Sequence, residues 1–361
     1  MRRQTEGDAV TRRSGRGWQL HRAGALATSV VLAGLTFASC GGAGSASDAN
    51  QPIFPGRCPA VSQPAAGAGA VSRVQLQVVK QGQAAIALAP VCVAGHGPYA
   101  FVVDSGATTS AFDTQLVKEL HLATNGPGQT VSGANCTTQE TPTAGPSWSV
   151  GTVPLAAQTV SSIDIPGFGL RASPAGLLGS DVLSRFGAVQ LDYQHQSLAL
   201  PGPEGPPPGP DTAVHGPSSV AVPPGVALAA PSTTVPLIVV HVEDETLALA
   251  PMQMRDRGPF NFILDTGSSV SSVDPQLSSI GLQQTGKKHK VSGIGCREEA
   301  PQVQSGPWSL GTVTLHPQTL QSVSVPGASG EISGLLGSDV LHGFGAVVIA
   351  YSAGTLVVAG R

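Results

Sequence analysis

The stretch GPYAFVVDSGATTS, Gly97 to Ser110, recurs 161 residues later as GPFNFILDTGSSVS, Gly258 to Ser271. In each copy an apolar run ends on an Asp and enters a Ser/Thr-Gly turn. An ionised Asp in such a place is costly unless something pairs with it or uses it. Taken singly, Asp104 reads as a turn-former that closes a strand, because Asp-Ser-Gly is ordinary turn vocabulary. Its repetition changes that reading. The flanks diverge, FVV against FIL, while the carboxylate, hydroxyl and glycine types stay.

The repeat extends in both directions. VQLQVV at 74–79 matches VPLIVV at 235–240, and AIALAP at 85–90 matches TLALAP at 246–251, at the same offset. VSGANC (131–136) matches VSGIGC (291–296), and SWSVGTV (147–153) matches PWSLGTV (307–313), at an offset of 160. GLLGSDVLSRFGAV (176–189) matches GLLGSDVLHGFGAV (334–347) at 158. Order is kept and the offset drifts by three, so one domain is written twice, over 74–200 and 235–361. Within each copy, short β-branched or apolar runs alternate with Gly, Pro, Ser and Thr clusters, which predicts an all-β fold of two lobes. Helix is expected only in short pieces such as TQLVKEL at 114–120. Between the copies, 201–234 reads as a Pro-rich linker without a core.

Composition agrees with short strands and many turns: 46 Gly, 30 Pro and only 11% charged residues in 361. No basic block or aromatic-basic interleaving occurs, so nucleic acid is not expected as a partner. Residues 1–22 hold six Arg and two acids, and 17 uncharged residues then lead to Cys40. That is the layout of an export signal, 1–39, too short to serve well as a membrane span. FASC places small residues before Cys40 as in a bacterial lipobox, with Phe37 where Leu is usual. Cys40 is therefore read as a lipid attachment point, the alternative being an ordinary secretory signal. Either way the protein is expected in the bacterial cell envelope or outside the cell, touching a membrane only through that anchor. Residues 40–73 read as a flexible spacer. Removal of the signal leaves 13 basic and 20 acidic residues, net −7.

Two copies of one domain can pack about a pseudo-twofold axis that brings equivalent residues together. Asp104 and Asp265 would then meet, and two such carboxylates cannot both ionise at little cost; they share a proton. One serves as base toward a water, the other as acid toward a carbonyl.

In these motifs the chain resembles the aspartic proteases, specifically the retropepsin-like branch. The resemblance covers both copies. Each half of that family supplies an Asp-Thr/Ser-Gly-Ala/Ser loop, matched by Asp104–Ala107 and Asp265–Ser268. Each half also has a glycine-bearing flap hairpin, for which Gly133 and Gly293 are the candidates, and a late apolar-apolar-Gly strand, matched by GLLG. The resemblance implies that Asp104 and Asp265 hold the attacking water and that Ser105 and Thr266 brace the two loops. Gly106 and Gly267 would allow close backbone approach. The implied substrate is a polypeptide lying extended in the groove between lobes, and no cofactor or metal is implied. The chain departs from retroviral members in carrying both halves on one polypeptide, which makes a monomer sufficient. Each flap also has a Cys. Cys136 and Cys296 occupy equivalent places near the axis, and a bridge between them would leave Cys58 and Cys92 to pair; the alternative joins Cys136 to Cys92.

Other readings compete. Asp181 and Asp339 in GSDVL are duplicated too, but they follow a glycine turn and read as structural acceptors. Trp148 and Trp308 read as core anchors. GLQQTGKK at 281–288 lacks the Ser or Thr of a P-loop. No CxxC, HExxH or G-x-S-x-G occurs, which removes zinc and serine hydrolases. The rival of a different class is a peptide-binding envelope module that keeps the fold without catalysis.

Overall fold

The structure is a computed structural model describing residues 31–32, 53–62, 70–133, 136–165, 173–209, 212–293, 296–325 and 331–360. Cys40 and all of the export signal but Val31–Leu32 lie outside the described residues. So do the tips of both flap candidates and the side chains of Cys136 and Cys296.

Two lobes of near-identical topology carry the repeats, predominantly as β-strands. In lobe 1 the strand Ala84–Val93 is buried on both faces, as its unbroken apolar reading AAIALAPVCV requires. It pairs antiparallel with His96–Val103, which runs parallel to Gly176–Leu178. The series continues through Ala111–Asp113, Thr159–Ile163 and Cys136–Ala144 to Gln129–Gly133. Lobe 2 repeats the order with Glu245–Met254, Arg257–Leu264, Gly334–Leu336, Ser272–Val273, Thr319–Ser322, Cys296–Gln304 and Gln283–Gly293. The expected helix at 114–120 is there as Thr114–Glu119, its first turn capped by the Asp113 carboxylate on Gln115 N–H at 2.8 Å.

A third, six-stranded sheet joins the lobes. At its centre Val189–Asp192 pairs antiparallel with Ala346–Ala350, the same segment of each repeat meeting across the pseudo-axis. Val71–Gln75 closes one edge and Ser232–Pro236 the other. Backbone hydrogen bonds and one continuous apolar core therefore run through both lobes.

Two expectations are corrected here. The segment 201–234 does have a core: Thr212–His215 extends the lobe 2 sheet and Val226 is buried among Ala199, Val348 and Val357. Its Val222, Val226 and Leu228 supply apolar contacts despite the many prolines, and Pro is tolerated on sheet edges. Nor is all of 40–73 a free spacer. Ile53 and Phe54 pack on lobe 1, and a Cys58–Cys92 disulfide ties this segment to the central strand. That pairing removes the Cys136–Cys92 alternative. Closing a loop of 34 residues, it contributes about 3–4 kcal/mol. Val31–Leu32 lies parallel to Ser132–Gly133.

Candidate active site

Each Asp of the doubled motif stands just past a central strand, His96–Val103 for Asp104 and Arg257–Leu264 for Asp265. The Asp104 N–H donates to Leu178 O and the Asp265 N–H to Leu336 O, both at 3.0 Å. The neighbouring GLL strands must begin with glycine. A Cβ on Gly176 would lie 2.1 Å from Cε1 of Phe101, and one on Gly334 2.6 Å from Cε1 of Phe262.

The loops then turn so that one oxygen of each carboxylate is fully occupied. Asp104 Oδ1 accepts from the N–H groups of Gly106 and Ala107, each at 3.0 Å. Asp265 Oδ1 accepts from Gly267 at 3.0 Å and Ser268 at 2.8 Å. The other oxygen, Oδ2, is buried in both and, the facing carboxylate aside, has no hydrogen-bond partner among the described residues.

The hydroxyls of the motif lock the loops together reciprocally. Thr266 Oγ1 accepts from Ser105 N–H at 2.9 Å and donates to Val103 O at 2.7 Å. Ser105 Oγ accepts from Thr266 N–H at 3.1 Å and donates to Leu264 O at 2.7 Å. All four bonds cross between lobes. Gly267 comes so close that a Cβ there would stand 2.3 Å from Cγ of Asp104.

Both carboxylates are wholly buried. Burial raises the proton affinity of Asp104, opposed by the N–H groups of Ala107 and Gly106. Burial likewise raises that of Asp265, and the charge of Asp104 acts in the same direction. The arrangement holds one proton between two facing carboxylates.

Asp181 and Asp339 lie outside this pair. Asp181 accepts from Ser110 Oγ at 2.7 Å and Gln158 Nε2 at 2.5 Å. Asp339 accepts from Ser271 Oγ at 2.7 Å, Ser271 N–H at 3.0 Å and Gln318 Nε2 at 2.8 Å. Their partners are the last serines of the two quoted stretches, so they anchor the far ends of the Asp loops. Trp148 and Trp308 are buried, each indole N–H donating at 2.8 Å to a carbonyl eight residues on, Ala156 and His316. The P-loop-like GLQQTGKK runs into the strand Gln283–Gly293.

Gly133 ends the strand Gln129–Gly133 and lies opposite Cys136; Gly293 ends its own strand opposite Cys296. Each therefore sits at the head of a hairpin. In lobe 1 an apolar face holding Val102, Ala107, Val131 and Leu177 links the Asp loop to this hairpin, and Ile53 and Phe54 pack against it. The equivalents of Ala107 and Ala111 in lobe 2 are the buried Ser268 and Ser272, so the two lobes differ beside the carboxylates. Among the described residues, no group of three or more His, Cys, Asp or Glu is placed to hold a metal ion.

The aspartyl protease family model matches the chain twice, over residues 89–182 and 250–340, together just over half its length. The chain belongs to the aspartyl protease family. Two matches in tandem make it a duplicated, retropepsin-like member with both lobes on one polypeptide. No curated protein matches it.

Around this family's motif the structure adds residues that the sequence reading passed over. Ser180 opens the helix Ser180–Leu183, its N–H donating to Ala107 O at 2.9 Å and its hydroxyl to Ser105 O at 2.8 Å. Tyr193 and Tyr351, fully buried, stand at the ends of the two strands that meet across the axis. The signal was available: each Tyr follows the repeated FGAV by the same interval.

Proposed function

We propose that the protein is an aspartic endopeptidase, with Asp104 and Asp265 as its two catalytic residues. The observation that carries this reading is the pair of facing buried carboxylates, each with Oδ1 held by two backbone N–H groups and Oδ2 left unengaged. An acceptor set so completely used on one side leaves the other for a water and a substrate carbonyl. A binding module has no need of a pair whose burial costs stability.

In the reaction ionised Asp104 takes a proton from the water while protonated Asp265 gives its proton to the peptide carbonyl oxygen. The water oxygen bonds to the carbonyl carbon and forms a tetrahedral diol. Asp104, now protonated, delivers its proton to the amide nitrogen as Asp265 recovers one from the diol. The C–N bond breaks, acid and amine leave, and the pair again holds one proton. The N–H pairs at Gly106–Ala107 and Gly267–Ser268 fix both carboxylates throughout, so little reorganisation is required. Gly133 and Gly293 would line the groove from the hairpin heads, where an extended polypeptide adds like a strand.

The enzyme is proposed to act as a monomer in the cell envelope, held by a lipid on Cys40 or else secreted. Digestion of a peptide library across a pH series tests the reading, with Asp104→Asn as control. Cleavage by the parent and none by the variant is expected; no cleavage by either at any pH overturns it.

A further inference from the structure

Beneath lobe 1's Asp loop, four polar groups form a chain that starts in lobe 2. Ser180 Oγ uses its one proton on Ser105 O at 2.8 Å, so in its 3.0 Å contact with Tyr351 Oη it accepts and the tyrosine donates. The carbonyl of Ser105 belongs to the same peptide unit as the N–H of Gly106. That N–H donates to Asp104 Oδ1 at 3.0 Å. The order is therefore Tyr351 O–H to Ser180 Oγ, Ser180 O–H to Ser105 O, and across the peptide to Asp104. Hydrogen bonds in series polarise one another, and a peptide whose carbonyl accepts a strong bond donates more strongly from its N–H.

The mirror positions are wired differently. Ser338 Oγ accepts from the Ala85 N–H at 3.3 Å. Tyr193 Oη is buried with no hydrogen-bond partner among the described residues, and its ring lies edge-on to His342 at 5.7 Å. The repeats supply the same residues, but the chain of donors is complete under Asp104.

We infer that Tyr351 is a positioning residue which, through Ser180 and the Ser105–Gly106 peptide, selects Asp104 as the ionised member of the pair. Which carboxylate is base and which is acid is then set by the lobe junction and not by the motif. The titratable groups facing this chain are few. Asp265 faces Asp104 from the other loop, the charges of Asp104 and Asp181 act on Tyr351 and that of Arg185 on Asp181, while the charge of Asp265 acts on Tyr193, whose ring meets His342. Burial raises the Tyr351 hydroxyl well beyond its ordinary value, so it stays a neutral donor over the working pH range.

The inference rests on the proteolytic reading for its role in catalysis, while its electrostatic core can be measured without turnover. Protein labelled with 13C at aspartate carboxyls is titrated by NMR, the pair being assigned by the signals lost in Asp104→Asn and Asp265→Asn. In Tyr351→Phe the lower apparent pKa of the pair should rise by roughly 0.5, a threefold gain in proton affinity. Ser180→Ala, which breaks the same chain one link later, should do likewise and serves if the tyrosine variant does not fold. Tyr193→Phe should leave that value in place. Both chain variants should also lower kcat roughly threefold with KM unchanged. An unmoved titration in a folded Tyr351→Phe or Ser180→Ala protein, or an equal rise in Tyr193→Phe, overturns the inference. A moved titration in a protein that cleaves nothing would leave the chain of donors standing and remove the proteolytic reading instead.

Discussion

At the scale of single residues, Asp104 and Asp265 differ from the other duplicated carboxylates in what their oxygens touch. Asp181 and Asp339 have both oxygens engaged, whereas each Asp of the pair keeps Oδ2 unpartnered. Asn at either position should therefore lower kcat/KM by roughly a thousandfold or more, and Asn at both should cost little beyond that, since the two act as one unit. Asp181→Asn should fold less stably and keep its chemistry; the reverse pattern in an assay of the four single variants would mean the wrong pair has been chosen. The pH dependence of kcat/KM follows from the burial of both carboxylates. Its acid limb reports loss of the ionised base and should lie above the ordinary Asp value of about 4, because burial raises Asp104. Its basic limb reports loss of the shared proton and should lie higher still, because the charge of Asp104 adds to burial at Asp265. A single plateau extending down to pH 3 would contradict this.

Among elements, the two Asp loops are short turns whose positions depend on their partners. The Thr266 hydroxyl both accepts from and donates to lobe 1, so Thr266→Val would leave the Ser105 N–H and the Val103 carbonyl buried without partners. Each such orphan costs about 1–3 kcal/mol, and a total loss of roughly 2–5 kcal/mol is expected from urea unfolding. A loss below about 0.5 kcal/mol would show that the lobes are held by the six-stranded sheet alone.

For the molecule as a whole, that sheet makes the junction part of the fold. Activity per molecule should then be independent of dilution from micromolar to nanomolar, because both carboxylates belong to one chain. A steep fall on dilution would point to assembly from two chains. Stability should depend on pH in an acid-favouring sense. Asp104, Asp181, Asp265 and Asp339 are all raised by burial, and Glu245 is raised to about 7 by burial and by the charges of Glu140 and Glu243. Groups with raised folded values stabilise fully at low pH and lose that contribution as pH rises through the folded value. Between pH 6.5 and 8, Glu245 loses its contribution, so Tm should fall across this window. Below 6.5 the buried His241 and the half-buried His342, both lowered, oppose the gain, since their contribution is lost as pH falls. A Tm that rises from pH 6.5 to 8 would show that other groups dominate.

Much of this was legible in the chain itself. The repeat is covalent information: a carboxylate, hydroxyl and glycine kept at matching places in both copies identify the paired loops, and alternating short runs identify strands. Trp148, Trp308, Asp181 and Asp339 could be assigned because apolar environment and turn position follow local rules. What the sequence could not express is contact between distant segments. Prolines in 201–234 suggested an undocked linker, yet the Val226 side chain finds apolar neighbours such as Val348 and Val357, over a hundred positions away. Ile53, Phe54 and Cys58 looked like spacer for the same reason. Tyr193 and Tyr351 are the sharpest case: identical in type and repeat position, they acquire different partners because two lobes of unequal sequence meet at one axis. Residue pattern determined that two carboxylates would be paired; only the tertiary structure, by completing a donor chain under Asp104, made them unequal.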